Sequence, residues 1–370
     1  MADNRVDLLR HLRVRPLAER RSKHSLEEIL LHPDDPPPDA GSMAAAIETV
    51  ADRVQRARDS GAGVILAYGA HLVKNGLGPI VTRLMESGWI THLATNGAGI
   101  IHDWEYAFQG RSEEDVRENV ATGEFGAWDE TGRCTLIAVL VGALGGCGYG
   151  ESVGRFILDD GCRIPERDEL RAVLAEWATT SAGEDELMPA RAELLQTLIR
   201  FDLASGEYPV MHPFKQTSLT AAAARLGIPL TVHPGIGYDI VYNHPMASGA
   251  ALGRGSHIDY QTLVGSVDQL GESGVVLSVG SAVMAPQVME KAVSAANNLR
   301  IGRGREPLSP FFAVNDLVPI EWDWSRGEPP IDSPAYYSRF CKSFSRLGGE
   351  MLYLGGDNRV LLQNLCRRLG

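Results

Sequence analysis

Two polar clusters hold most of the side chains in this chain that could perform acid–base or ligand chemistry. The first is Gly69-Ala-His-Leu-Val-Lys-Asn-Gly76, and the second is Thr95-Asn-Gly-Ala-Gly-Ile-Ile-His-Asp-Trp-Glu105. Histidine exchanges protons near neutral pH, an uncharged lysine forms a Schiff base, and a carboxylate binds cations. Glycine lets a ligand approach the backbone closely. This combination favours a functional pocket over ordinary capping and surface roles.

Each cluster follows a short apolar run that predicts a buried strand. Val64–Tyr68 precedes the first cluster, Trp89–Ala94 precedes the second, and Pro79–Glu86 has the spacing of a helix. The carboxyl ends of parallel strands lie at one edge of a sheet, where open α/β sheets bind ligands. We therefore expect both clusters to meet at that edge.

Strands and helices alternate again in the second half of the chain. The predicted strands are residues 228–232, 275–279, 311–314 and 351–354. The predicted helices are residues 43–60, 218–226, 258–271, 286–299, 335–347 and 360–369. This alternation predicts an α/β fold with a doubly wound, mainly parallel, Rossmann-like sheet.

The chain is expected to divide into an arm and one large domain. Residues 1–42 are a proline-rich N-terminal arm that packs on a neighbour or stays mobile. Residues 43–370 form a single α/β domain, within which residues 112–205 form a helical insertion.

Composition excludes some classes of partner. A net charge of -12 argues against a sequence-independent grip on nucleic acid. The longest apolar run, residues 136–146, is too short to span a bilayer, and Met1–Arg5 lacks the apolar core of a signal peptide. We therefore expect no nucleic-acid partner, no membrane partner and a cytoplasmic location. The five cysteines include no C-x-x-C pair, which favours free thiols.

Several motifs admit both a functional and a structural interpretation. Gly97-Ala-Gly99 is similar to the glycine turn of a dinucleotide site, although such turns are common between a strand and a helix. His102 and Glu105, three residues apart, could share a proton or bind a metal, whereas Asp103 could cap the helix. The glycine-rich segment 145–150 follows an apolar helix and not a strand, which makes ligand binding there the weaker interpretation.

The order of elements and the wording of these motifs resemble the deoxyhypusine synthase family, with gaps, from about Gly63 to the C-terminus. In that family the loops after the first two strands hold NAD, and an aspartate before the final helix contacts it. The resemblance therefore implies NAD as the cofactor. Ser281 joins the binding set because small residues at its strand end suit close approach of a ligand. The implied NAD-binding residues are Gly69, Ala70, His71, Asn96, Gly97, Ala98, Gly99, Asp103, Ser281 and Asp357.

The resemblance also implies catalytic roles. Asp239 matches the amine-binding residue of the family. Lys342 is the nearest counterpart of the lysine that forms the covalent intermediate, and Lys74 is the alternative. His102 or His244 would move protons.

One departure from the family concerns its catalytic histidine. The segment after the fourth predicted strand reads Gly280-Ser-Ala-Val-Met-Ala-Pro-Gln287 and contains no histidine. We therefore predict an NAD-dependent enzyme of transferase or cyclodeaminase type that oxidises a small amine or amino acid to an imine, but not a true deoxyhypusine synthase. The resemblance further implies a homodimer or homotetramer.

Three alternatives stay open. An ornithine cyclodeaminase-like enzyme is similar around Gly78-Pro79 and around His102–Glu105. A non-catalytic nucleotide-binding protein would suit the missing histidine. A metal-dependent hydrolase could use ligands that converge from several loops, namely His71, His102, Asp103, His233, Asp239 and His244.

Overall fold

A six-stranded parallel sheet forms the centre of the fold. The computed structural model describes residues 6–7, 11–179 and 186–370. Across the sheet the strand order is β6-β5-β4-β1-β2-β3, and every neighbouring pair is parallel. The predicted doubly wound, mainly parallel sheet is therefore confirmed. The strands are β1 Val64–Tyr68, β2 His92–Thr95, β3 Leu230–Val232, β4 Val275–Val279, β5 Phe311–Asp316 and β6 Met351–Gly355.

Helices cover both faces of the sheet, so its strands are apolar on both sides. In β1, Val64, Leu66 and Tyr68 pack into one hydrophobic core, while Ile65 and Ala67 pack into a second core on the opposite face. The helices of the described residues are α1 Leu26–Ile29, α2 Ala44–Asp59, α3 Ala70–Lys74, α4 Gly78–Glu86, α5 Gly97–Gln109, α6 Val116–Thr122, α7 Asp129–Gly142, α8 Tyr149–Leu158, α9 Arg167–Thr179, α10 Met188–Arg200, α11 Leu219–Leu226, α12 Gly249–Asp268, α13 Met284–Gly302, α14 Arg339–Ser345 and α15 Asn358–Leu369.

The strand order places a topological switch point between β1 and β4. After β3, at one edge of the sheet, the chain crosses to β4 on the other side of β1, so the connections leaving β1 and β4 diverge. Open α/β sheets bind ligands in the crevice that such a divergence creates. Gly69 and Gly280 meet there, because a Cβ on Gly69 would lie 2.1 Å from the carbonyl oxygen of Gly280.

Element boundaries match the sequence best where apolar runs are continuous. β1 and β4 have the predicted bounds. The predicted helix 335–347 is instead a 3-10 turn, Pro334–Tyr337, followed by the short α14, because Ser333 and Pro334 start one turn and Ser338 interrupts it. Among the described helices, none is by itself long and apolar enough to cross a membrane, whereas a pair bent by 108° meets the length and composition together.

The N-terminal arm packs on its own chain. We call residues 15–31 the strap. Leu17 and Leu26 of the strap are buried, and its residues His24–Ser25 pair in antiparallel fashion with Arg111–Ser112. The strap therefore packs on its own domain, and contact of the arm with a neighbouring molecule stays a prediction. Residues 1–5 and 8–10 of the arm lie outside the described residues.

The predicted helical insertion contains more than helices. Helices α6 to α10 lie in the insertion, together with the strand Gly161–Ile164. The antiparallel partner of this strand, Gly206–Pro209, begins directly after the predicted insertion ends. Residues 180–185 of this stretch lie outside the described residues.

Candidate functional site

A cavity of about 210 Å³ lies beyond the carboxyl ends of β1, β2 and β3. Lys74 reaches it from the helix after β1, His102 from the helix after β2, and Asp239 from the loop after β3. The strap contributes Arg20. The cavity therefore brings together three of the five side chains for which the sequence predicts a catalytic role.

A buried carboxylate, that of Glu105, organises one wall of the cavity. Arg20 donates two parallel hydrogen bonds of 2.7 Å to its two oxygens, and both side chains are almost fully buried. Thr131 Oγ1 donates to Oε1 at 2.8 Å, and Ser112 Oγ donates to Oε2 at 2.5 Å. Burial alone would raise the pKa of Glu105, but the Arg20 guanidinium outweighs it and holds this pKa below its usual range. Glu105 is therefore a carboxylate that only accepts hydrogen bonds.

The state of Glu105 decides which nitrogen of His102 carries a proton. Ser112 has one hydroxyl proton and gives it to Glu105, so its oxygen can only accept from His102 Nδ1, which lies 2.7 Å away. The neutral imidazole then has its proton on Nδ1 and a free lone pair on Nε2. Burial is the largest influence on this ring and lowers the pKa of His102 to about 4. At neutral pH, His102 is thus a base with a bare Nε2.

Lys74 is held by an ion pair. Its Nζ lies 2.6 Å from Glu113 Oε2, and both side chains are largely buried. Glu113 occupies the left-handed region with φ 70, a conformation uncommon for residues other than glycine. The ion pair with Glu113 occupies the nitrogen for which the sequence suggests a Schiff base.

Asp239 places a second buried carboxylate against helix α5. Its Oδ2 accepts from the backbone N–H of Gly235 at 2.7 Å, and the side chain packs on Gly97, where a Cβ would lie 2.7 Å from Asp239 Cγ. Burial raises the pKa of Asp239, while backbone hydrogen bonds from Gly235 and Ala98 oppose that shift. Within the described residues no cation pairs with this carboxylate.

Unequal numbers of charges give the cavity an acidic character. Four carboxylates line it, against the two cations Arg20 and Lys74, which are paired with Glu105 and Glu113. Glu114 is satisfied by neutral donors, the backbone of Gly126 and the side chains of Trp128 and Asn119. Asp239 is thus the carboxylate best placed to bind a cationic ligand.

The predicted NAD loop after β2 is occupied by the protein itself. Asn96 caps α5, since its side chain accepts from Gly99 N at 2.9 Å. Gly97 and Ala98 face the Asp239 carboxylate, whose negative charge would repel a phosphate at this helix terminus. Asp103 lies on another side of α5 and binds the N-terminus of α11, where it accepts from Leu219 N and Thr220 N, each at 3.0 Å, and from Ser218 Oγ.

The other predicted cofactor residues lie along the crevice between β1 and β4. Gly69, Ala70 and His71 follow β1, Ser281 follows β4 and caps α13 by accepting from Ala285 N, and Asp357 caps α15 after β6. Sequence reasoning missed Asn315, at the carboxyl end of β5. It is buried, its backbone oxygen accepts from Gly280 N, and its Oδ1 has no hydrogen-bond partner in the described part of the chain.

The two remaining catalytic predictions lie outside the cavity lining. His244 is buried on α7, with Nδ1 accepting from Met246 N and Nε2 3.5 Å from Asp129. Lys342 lies on α14, with its Nζ 3.5 Å from the ring centroid of Tyr336. Neither residue is in contact with the groups that surround His102.

The six metal-ligand candidates do not converge. Asp103 is bound to α11, His233 Nε2 lies 3.0 Å from Thr231 Oγ1, and His244 faces Asp129. Across residues 11–179 and 186–370, no three histidine, cysteine, aspartate or glutamate side chains are placed to hold one metal ion.

The glycine-rich segment 145–150 also binds a carboxylate of the chain itself. Asp259 Oδ2 accepts from Gly150 N and Val232 N, and a Cβ on Gly148 would lie 1.8 Å from Asp259 Oδ1. The glycine-rich composition does indicate close approach to the backbone, because these glycines allow an anion to come near it. The anion is Asp259, whose pKa burial raises to about 7.

Comparison with protein families and with curated proteins finds no match. Among solved structures, similarity is found to AgrE in a ternary complex with ornithine and NAD+, at 12% identity over 90% of this chain and 34% of that chain, with a TM-score of 0.43. ArgZ, an arginine dihydrolase from the ornithine–ammonia cycle in cyanobacteria, gives 12% identity over 88% and 32%, with a TM-score of 0.39. This chain therefore spans about a third of the length of either structure.

A protein from Entamoeba histolytica assigned as a deoxyhypusine synthase is also similar, at 9% identity over 89% of this chain and 88% of that chain, with a TM-score of 0.34. All three TM-scores lie below 0.5, so these similarities assign neither a family nor an activity to this chain, and the resemblance to the deoxyhypusine synthase family stays a prediction from the sequence.

Proposed function

We propose that this protein is an NAD-dependent enzyme that binds a small primary amine or amino acid in the cavity and removes a proton from it. The observation that carries the proposal is that Asp239 and His102 line the same acidic cavity. Asp239 is a buried carboxylate without a cationic partner among the described residues, and His102 Nε2 is a bare base on the adjacent helix.

Asp239 would hold the substrate ammonium. A charge-assisted hydrogen bond to an ammonium is stronger than one between neutral groups, and it compensates a buried carboxylate for its lost hydration. The cavity of about 210 Å³ suits a small amine or amino acid.

His102 would accept the proton. Its Nδ1 is occupied by Ser112, so Nε2 is the nitrogen available to the cavity. Lys74 is bound to Glu113 and would act as a fixed positive charge that orients a substrate carboxylate, in place of the Schiff-base role expected from the sequence.

The crevice between β1 and β4 fits NAD in one respect. Among the described residues the buried Oδ1 of Asn315 has no hydrogen-bond partner, and it can accept a hydrogen bond from a hydroxyl or amide of the cofactor, next to Gly280. Helix α3 connects this crevice with the cavity, since Gly69 lies at its start and Lys74 at its end. When bound, NAD supplies a hydride acceptor. The Asp239 carboxylate disfavours one predicted contact with NAD, that of a phosphate with the backbone at Gly97.

A conversion assay tests this proposal. The protein is incubated with NAD and, in turn, ornithine, lysine and 1,4-diaminobutane, and substrate loss is followed by mass spectrometry. We expect at least one amine to be converted, and His102→Gln to slow conversion by about a hundredfold or more. His257→Gln, at an exposed position on α12, is the matched control and should keep the wild-type rate. Failure of every amine to react, or an unchanged rate in His102→Gln, would contradict the proposal.

A further inference from the structure

Arg20 lies far from the other cavity residues in sequence but binds one of them directly. The strap that carries it is fixed at several points. Leu17 N donates to Glu130 Oε2 at 2.6 Å, His24–Ser25 pair with Arg111–Ser112, and Leu31 N donates to Gly76 O. These contacts place the Arg20 guanidinium where it donates hydrogen bonds to both oxygens of Glu105.

The same strand pair places Ser112. Ser25 of the strap pairs with Arg111, and His24 pairs with Ser112, whose hydroxyl links Glu105 to His102. The strap therefore places two members, Arg20 and Ser112, of a chain of hydrogen bonds that runs from Arg20 through Glu105 and Ser112 to His102 Nδ1.

We propose that Arg20 is a positioning residue that keeps the proton of His102 on Nδ1 and so leaves Nε2 bare toward the cavity. The reason is the direction of each hydrogen bond. A guanidinium only donates, so Glu105 stays ionised and only accepts, Ser112 donates to it, and His102 must donate to Ser112. Free imidazole side chains prefer the proton on Nε2, so this tautomer depends on the chain of hydrogen bonds.

Loss of the Arg20 guanidinium reverses the direction of the hydrogen bonds that link Glu105, Ser112 and His102. Without Arg20, Glu105 is a buried carboxyl with no cation, and it gains a proton. A protonated Glu105 donates to Ser112, Ser112 then donates to His102 Nδ1, and the imidazole proton moves to Nε2. The charged groups facing the His102 ring are Glu105 on its own helix, Lys74 on α3, Glu113 after α5 and Arg20 on the strap. Asp239 and Glu114 also line the cavity.

Nitrogen-15 NMR of the histidine rings tests the proposal without any substrate. In the wild-type protein the His102 signals should report a protonated Nδ1 and a bare Nε2. Arg20→Met should exchange these signals, and Arg20→Lys, which restores the cation, should return them to the wild-type pattern. Arg15→Met removes an exposed arginine from the same strap and should leave the His102 signals unchanged.

A second variant keeps the test valid if Arg20→Met does not fold. Ser112→Ala retains the pair of Arg20 and Glu105 but removes the acceptor of His102 Nδ1, so the proton should again move to Nε2. A wild-type tautomer in folded Arg20→Met would overturn the proposal, and so would a wild-type tautomer in Ser112→Ala. The inference rests on the proposed function only for the use of Nε2 as a base. A correct tautomer without amine conversion would overturn the function alone.

Discussion

At the scale of single residues, burial has the largest effect on His102. It lowers the pKa of this imidazole to about 4, with Lys74 and Arg20 acting in the same direction and the carboxylates Glu105 and Glu113 opposing it. A group whose pKa is depressed in this way stays neutral far below the ordinary histidine range. His102 therefore remains neutral at every pH near neutrality.

This depressed pKa predicts the pH dependence of His102 itself. Its ring C–H signal should stay constant from about pH 8 to about pH 5 and move only below that, whereas the signal of a free histidine side chain moves near pH 6.5. Proton NMR during an acid titration measures the midpoint of His102. A His102 midpoint near the free value would refute the account of its environment.

Sequence reasoning found the residues that follow strands and missed the one that comes from the arm. Lys74, His102 and Asp239 were predictable as neighbours because parallel strands bring their carboxyl ends together. Arg20 was not, since its partner Glu105 lies 85 residues away and the arm has no periodic pattern. Asp103 shows the opposite error, because the helix whose N-terminus it binds, α11, begins 116 residues further along the chain.

At the scale of elements, Gly97 allows Asp239 to approach the first turn of α5. A Cβ at position 97 would lie 2.7 Å from Asp239 Cγ, so Gly97→Ala should displace the carboxylate and weaken amine binding by about tenfold or more. Gly253→Ala is the matched control, since a Cβ at that helical position meets nothing within 4 Å. That variant should bind normally and gain up to about 1 kcal/mol of stability.

Calorimetry with an amine substrate and thermal denaturation would measure these two variants. Equal amine affinities in Gly97→Ala and Gly253→Ala would show that the approach of Asp239 to α5 is unimportant for binding.

The sequence defined the central strands better than the connections between them. β1 and β4 were predictable to the residue because continuous apolar runs are typical of strands buried on both faces. The glycine-rich segment 145–150 was ambiguous, since the anion it contacts belongs to Asp259, 109 residues from Gly150. Long-range partners of this kind decide whether a glycine-rich loop binds a ligand or the protein.

At the scale of the whole molecule, four histidines whose pKa burial lowers make the fold sensitive to acid. Burial lowers the pKa of His92 to about 3 and of His102, His212 and His233 to about 4. Each is neutral when folded but takes up a proton near pH 6.5 when unfolded. The unfolded state thus binds more protons between about pH 6.5 and pH 4, and stability falls as the pH decreases through that window.

His212 offers a direct test of this effect. It lies among the rings of Trp104, Phe108 and Phe156, with Nδ1 3.5 Å from Asp160 Oδ1, and neither ring nitrogen has a hydrogen-bond partner in the described residues. Burial lowers the pKa of His212, and Asp160 only partly opposes this effect. His212→Phe should therefore reduce the loss of unfolding free energy between pH 7 and pH 4.5 by roughly 2 kcal/mol. Chemical denaturation at both pH values measures this, and an unchanged pH dependence would contradict the buried neutral state of His212.

Self-association remains a prediction for the whole molecule. The strap is used within its own chain, which removes one reason for expecting it, but apolar side chains are exposed on the loops beyond β3 and β5. Ile236, Tyr238 and Leu317 are 77%, 64% and 74% exposed. Light scattering should give a dimer or tetramer, and a mass of 40.1 kDa at micromolar concentration would contradict it.

The central claim is that Asp239 binds an ammonium group in the cavity beside His102. Isothermal titration calorimetry of 1,4-diaminobutane into the wild-type protein and Asp239→Asn tests it most directly, because the substitution removes the charge and preserves the shape. We predict saturable binding to the wild-type protein and an affinity at least about tenfold weaker in Asp239→Asn, which corresponds to about 1.4 kcal/mol or more. Equal affinities in the two proteins, or no binding to the wild-type protein, would contradict the claim.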